Sequence, residues 1–245
     1  LPVIAPYNPL EAVMKDANQA PSMAHLFGTD KLGRDVLSRI LYGGAYSLSS
    51  VLALVAIIFC VGTFLGLVAG YFGGLIDTVI MRVADMMISF PGVILAIAIA
   101  GIMGGSLVNA MIALTAVTWT KYARLSRSMV LKIRKRDFVD AAIVSGGTSS
   151  HILWTHIMPN VVPILVITAV SDIGAMMMEL AGLSFLGFGS QPPAPEWGLM
   201  LNEGRQQLQT APWLMVFPGL AIFISVVIFN LWGDALRDVL DPRDQ

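Results

Sequence analysis

The sequence predicts an all-α polytopic membrane protein, and three observations carry that expectation. Charged residues make up 13% of the 245 residues and hydrophobic ones 56%, with a mean hydropathy of +0.75. A soluble domain carries about 25% charge. Apolar stretches of about 20 residues, long enough to cross a bilayer as a helix, recur along the chain. The charge that remains is concentrated, because seven of the fifteen Lys and Arg fall within residues 121–136. No stretch is polar enough to form a second folded domain.

Five spans are expected, at 47–71, 75–103, 107–122, 161–186 and 212–232. The first lies in the charge-free interval 40–76. The second carries Asp77, Arg82 and Asp85 and is interrupted by Pro91-Gly92, which predicts a break near Phe90. The third is expected to continue as a helix beyond the membrane. Basic residues near span ends mark the cytoplasmic side, so the 121–136 cluster sits in the cytosol. Residues 1–46 and 187–211 then lie outside, and the C-terminus lies inside. An external start implies an earlier span entering from the cytosol, with LPVIAPYNP at 1–9 as its exit. On this reading 1–46 is an extracytoplasmic segment after a missing first span, and 47–245 is the transmembrane domain with a cytoplasmic loop at 123–160. Cys60, the single cysteine, excludes an internal disulfide or a Cys-cluster metal site. It is expected as a small core residue.

The 121–160 stretch reads as a helix–turn–helix. Asp137 and Asp140 suit the N-terminus of a new helix. Ala141, Ala142 and Ile143 give it a small, flat, apolar face, and Gly146-Gly147 allows a sharp turn. Thr148 or Ser149 can cap a second helix over 151–156, which Pro159 would end. Small residues let a partner approach closely, so the loop suits docking; a solvated linker with a basic membrane anchor is the competing reading. His151 and His156, five apart, have poor geometry for ligating one metal from a helix face.

Asp140-Ala141-Ala142, Gly146 and His156-Ile157-Met158-Pro159 resemble the "EAA" loop of ABC importer permeases, with Asp140, His156 and Met158 in place of Glu, Ile and Leu. Four further stretches resemble C-type permeases of peptide and nickel ABC importers. These are HLFGTDKLGRDVLSR from His25, LSFLGFG from Leu183, QPPAPEWG from Gln191 and NLWGDALRDVLDP from Asn230; Phe90-Pro91 follows the same pattern. The resemblance implies a type I ABC importer transmembrane domain of six spans in a bacterial cytoplasmic (inner) membrane. It further implies a second permease subunit, two ATP-binding subunits that hold ATP and Mg, and an extracytoplasmic substrate-binding protein. Surrounding lipid completes the partners, with no nucleic acid and no cofactor bound by this chain. ATPase closure would act through Asp140, Ala141, Ala142, Gly146, Gly147, His156 and Pro159. The extended third helix serves as lever, and Pro91-Gly92 and Pro159 as hinges. Dipeptide, oligopeptide and nickel (free or chelated) stand together as substrates.

Without the family, the same motifs have local readings. Asp30 near Arg34 suits an interfacial helix, and the three prolines of 191–197 make a rigid outer loop with Trp197 at headgroup level. Arg237 can pair with Asp234 or Asp241 on a C-terminal helix. Arg82 and Asp85, i,i+3, can neutralise each other. Asp172 and Glu179 lie two turns apart on one face of the fourth span, and intramembrane ionisable groups default to function. With Met176 they are candidates for a translocation path, the alternative being buried hydrogen bonding between helices. Met176-Met177-Met178 otherwise reads as adaptable packing, since consecutive residues share no helix face and thioethers favour softer ions than Ni²⁺.

No GxxxxGK[ST] phosphate loop is present, so ATP hydrolysis by that route falls to other subunits. An intramembrane hydrolase would need His, Asp or Ser clustered in the bilayer, yet His25, His151 and His156 all fall in aqueous segments. An ion-coupled secondary transporter or channel, with Asp172 and Glu179 coupling to ions, is the runner-up.

Overall fold

The computed structural model describes residues 4–240. Among them the helices run α1 Val36–Phe72, α2 Gly74–Ile88, α3 Gly92–Met103, α4 Leu107–Ile133, α5 Asp137–Val144, α6 Ser149–Ile152, α7 Met158–Phe185, α8 Trp197–Gly204 and α9 Trp213–Leu240. No strand occurs among the described residues, only an isolated bridge between Thr29 and Asp35.

The first helix starts eleven residues before its expected span, because Asp35 caps it by accepting the Ser38 N–H at 2.8 Å. It packs along α4 through Gly62 and Gly66, one turn apart. A Cβ at Gly62 would stand 2.5 Å from both the Trp119 carbonyl oxygen and Tyr122 Cβ, so the backbones touch there as only small residues allow. Leu54, Ile58, Leu67, Leu114 and Tyr122 close the core beside this seam, and α7 joins it through Leu165, Met177 and Leu180.

The expected break near Phe90 is present and sharper than a kink. Pro91 caps α3, and α2 and α3 meet at 93°. Proline cannot donate to the ladder and pushes its predecessor out of helical backbone, so the helix stops before it. Helix α3 lies along α4, whereas α2 packs against α1 and reaches the basic second half of α4 through Asp77 and Asp85. Three helices are long and apolar enough to span, with a fourth if the bent pair crosses as one. Helix α4, the remaining expected span, is 27 residues long but carries Lys121, Arg124, Arg127 and Lys132 in its second half.

Several local expectations need correction. Residues 25–35 form a loop of turns rather than an interfacial helix, since Gly28 and Gly33 adopt φ of +74°. Trp197 is buried instead of sitting at headgroup level: its Nε1–H donates to the Ile40 carbonyl at 3.0 Å, and it opens the unforeseen helix α8. Cys60 is exposed on α1 rather than buried in the core. Pro159 does not end a helix. The chain passes from α6 through one π-helical turn, Leu153–Ile157, directly into α7, whose first turn holds Pro159. Because the helix runs on unbroken through this point, Pro159 leaves a carbonyl of the preceding turn without its backbone donor, which kinks a helix rather than ending it here. The 1–9 exit motif is described only from residue 4, and Asp241, with its suggested Arg237 pair, lies outside the described residues.

Candidate functional site

The first candidate site is the loop between α4 and α7. Asp137 and Asp140 occupy the first turn of α5, where carboxylates complement the helix dipole. Val139 on its inner side is fully buried, as are Ile152, Leu153 and Ile157 beyond the turn, so the loop is pinned to the core from both arms. Its outer side is open. Asp140 and Ala141 are exposed, Ala142 is half-buried against the core, and Ile143 and Val144 are 50% and 88% exposed.

The two glycines are required for different reasons. Gly146 adopts φ +82° with open space around it, whereas a Cβ on Gly147 would stand 2.8 Å from the Ala142 carbonyl oxygen. Thr148 then caps α6 by accepting the His151 N–H at 3.3 Å. The π turn brings together what helical spacing keeps apart. Residues five apart lie about 140° round an α-helix, but here the Met158 N–H bonds back to Leu153 and the His151 and His156 rings stand edge to face at 5.7 Å. Sequence spacing concealed that proximity. Trp154, on the same turn, is 43% exposed although its neighbours Leu153 and Ile157 are buried, and an exposed aromatic of this kind suits a contact surface.

The second candidate is the charge cluster within the bundle. Asp172 accepts from Lys121 Nζ at 2.6 Å and from the Tyr122 hydroxyl at 2.9 Å, tying α7 to α4. Lys121, counted with the basic loop, is thus the partner of a residue in the fourth span. Glu179, two turns along the same face, is half-buried, and Met176 between them is buried in the core of this chain. Asp85 pairs with Arg124 rather than with Arg82, and Asp77 pairs with Arg127 at 2.5 Å. Helix α2 therefore satisfies its acids across to α4 instead of along itself.

At the opposite end a buried network fixes the N-terminal segment. Asp30 accepts from Arg34 Nε at 2.6 Å and Arg39 Nη1 at 2.5 Å, and Glu203 of α8 meets the same two guanidiniums at 3.2 and 2.9 Å. Burial would raise the Asp30 carboxyl, but Arg39 and Arg34 outweigh it and hold the group below the ordinary carboxylate range. Glu196 caps α8 by accepting from the Gly198 and Leu199 N–H groups, both at 2.8 Å. Burial nevertheless pushes its carboxyl up. Among the described residues no group of three or more His, Cys, Asp or Glu is arranged to hold a metal ion.

The model of one family, described as the inner membrane component of binding-protein-dependent transport systems, matches residues 62–243, which include both the loop and the charge cluster. The chain belongs to that family. It is accordingly a multi-pass inner-membrane permease subunit, as the motif resemblance implied. Among curated relatives, the dipeptide transport system permease of Alkalihalophilus pseudofirmus is 45% identical over 225 residues, covering 92% of this permease and 74% of the relative. The nickel transport system permease of Escherichia coli K12 is 44% identical over 238 residues, covering 97% and 86%. A glutathione transport system permease of Pectobacterium atrosepticum is 44% identical over 226 residues, covering 92% and 75%. Among solved structures, an inward-facing MetNI methionine ABC transporter aligns with a TM-score of 0.64 at 18% identity, over 84% of this permease and 98% of that chain. At that identity the likeness shows the fold, which is that of ABC importer transmembrane domains.

Proposed function

We propose that this permease carries di- or oligopeptides, or nickel free or chelated, inward across the cytoplasmic membrane by alternating access. A second permease subunit completes the pathway, two ATP-binding subunits hold ATP and Mg and drive it, and an external binding protein delivers the cargo. Residues 123–160 form the cytosolic coupling loop, and 1–46 lie on the outer side. Relatives named for dipeptide, nickel and glutathione transport, all at similar identity, support this cargo class.

One observation carries the coupling assignment. The outer side of α5, with Asp140, Ala141, Ile143 and Val144, is exposed and partly apolar, while Val139, Ile152 and Ile157 behind it are buried. A surface for one partner is thereby held rigidly on the bundle, which is what force transmission needs. Gly146, Gly147, His156 and Pro159 shape the loop that presents it. Asp172 and Glu179, with Met176 behind them, mark the face of α7 that lines the path.

The test is ATPase activity and subunit retention of the co-expressed complex in nanodiscs, with Ala141→Arg on the exposed face. Loss of the ATPase subunits, or of substrate-stimulated turnover, with a folded permease is the expected result. Full uptake and full ATPase retention would leave the loop a membrane anchor and move an ion-coupled carrier to the front.

A further inference from the structure

The seven basic residues of 121–136 do not all serve the fold. Lys121, Arg124 and Arg127 are paired with Asp172, Asp85 and Asp77. Arg134 donates to the Tyr71 carbonyl at 2.7 Å and lies 5.6 Å from the centroid of that ring. Among the described residues Lys132, Lys135 and Arg136 have no ion pair, and two of these, Lys132 and Arg136, line one groove.

The groove has a volume of about 640 Å³ and lies between the end of α4, the start of α5 and the start of α7. Its floor is apolar, formed by Leu125, Met129, Ile133, Phe138 and Ile164. Ser128 and Asn160 add hydrogen-bonding groups. The chemistry is therefore divided: an apolar floor runs from the extension of α4 to Ile164 at the start of the span in α7, and two cations, Lys132 and Arg136, stand beside it on the side that the basic cluster assigns to the cytosol. A soluble anion would leave the floor wet, and a neutral lipid would leave both cations unmet. An anionic phospholipid satisfies both halves, and Lys and Arg at a cytosolic helix end attract such headgroups.

We propose that this groove binds one anionic phospholipid of the cytosolic leaflet. Its phosphate sits between Lys132 and Arg136, and an acyl chain lies along Leu125, Met129 and Ile164. The groove adjoins the proposed coupling loop and takes in Phe138 of α5, but not Asp140, Ala141, Ile143 or Val144, so loss of lipid binding with ATPase coupling intact would separate the two assignments.

The experiment is native mass spectrometry of the assembled transporter, purified in mild detergent and titrated with phosphatidylglycerol or phosphatidylcholine. Lys132→Gln with Arg136→Gln should weaken phosphatidylglycerol binding about 30-fold, from two surface cations, and leave phosphatidylcholine unchanged. Ile164→Trp, which fills the floor without touching charge, should also weaken it, whereas Lys135→Gln should not. Unchanged phosphatidylglycerol binding in the double variant would overturn the proposal. So would equal displacement by inorganic phosphate, which would make this a soluble-anion site. Cross-linking of a Lys132→Cys or Arg136→Cys variant to a partner subunit with no lipid bound would overturn it too, because protein would then fill the groove.

Discussion

Replacing Gly146 isolates the conformational contribution of the elbow between α5 and α6, to which we assign coupling. Its φ of +82° lies in the left-handed region, and nothing stands within 4 Å of where a Cβ would be. Substitution there is consequently strained without being crowded. Alanine should cost about 1–2 kcal/mol, a factor of roughly 5–30 in the population of the formed elbow. Asparagine tolerates left-handed backbone and should cost less; valine, β-branched, should cost more. Substrate-stimulated ATPase activity in nanodiscs should thus fall in the order Gly, Asn, Ala, Val, with basal permease folding intact. Gly147→Ala is the internal contrast, since its Cβ would press on the Ala142 carbonyl oxygen at 2.8 Å and asparagine should not rescue it. If Gly146→Val couples as well as the wild type, or Gly146→Asn as poorly as Gly146→Val, the elbow is not held by backbone conformation and the argument fails.

Three other outcomes are expected. Arg39→Met removes one cation from a buried four-member network and should destabilise the purified complex by about 3–5 kcal/mol, read as a lower melting temperature; an unchanged melt would mean that Arg34 alone satisfies both acids. Asp30, held below the ordinary carboxylate range, contributes stability in full above about pH 4, which is lost as pH falls through its lowered pKa. The melting difference between wild type and Asp30→Asn should accordingly be flat from pH 7 to 5 and shrink only in stronger acid; shrinkage already by pH 5 would contradict the assignment. Lys121→Met should lower thermal stability more than the double variant Lys121→Met with Asp172→Asn, because the single change strands a carboxylate inside the bundle. Equal losses would show that water already serves Asp172.

Features set by local chemistry were legible in the sequence. Pro91 stops a helix by itself, Gly146-Gly147 with Thr148 defines an elbow and a cap, and the apolar interiors of α1, α7 and α9 declare themselves by length. Features set by distant partners were not legible. Asp85 finds Arg124 across 39 residues rather than Arg82 three away, and Trp197 is buried because Ile40 offers its carbonyl. The π turn depends on Leu153 and Ile157 both reaching the core, so spacing alone placed His151 and His156 apart. The stripe of Gly62, Gly66 and Gly70 is different: small residues at every fourth position mark a packing seam in the sequence itself, a signal that hydropathy does not carry.

Pro159 and Pro163 stand four residues apart at the root of α7, just beyond the π turn. Neither can donate a backbone hydrogen bond, so Pro163 leaves the Pro159 carbonyl without its helical donor. Residues four apart stack on one side of a helix, which places the absent rungs together rather than spread around the axis. Such a segment is anisotropic: it yields readily in one plane and resists in the plane at right angles. If α5 and α6 receive the push of the ATPase subunits, as proposed above, α7 should bend most easily on the side that carries the two prolines.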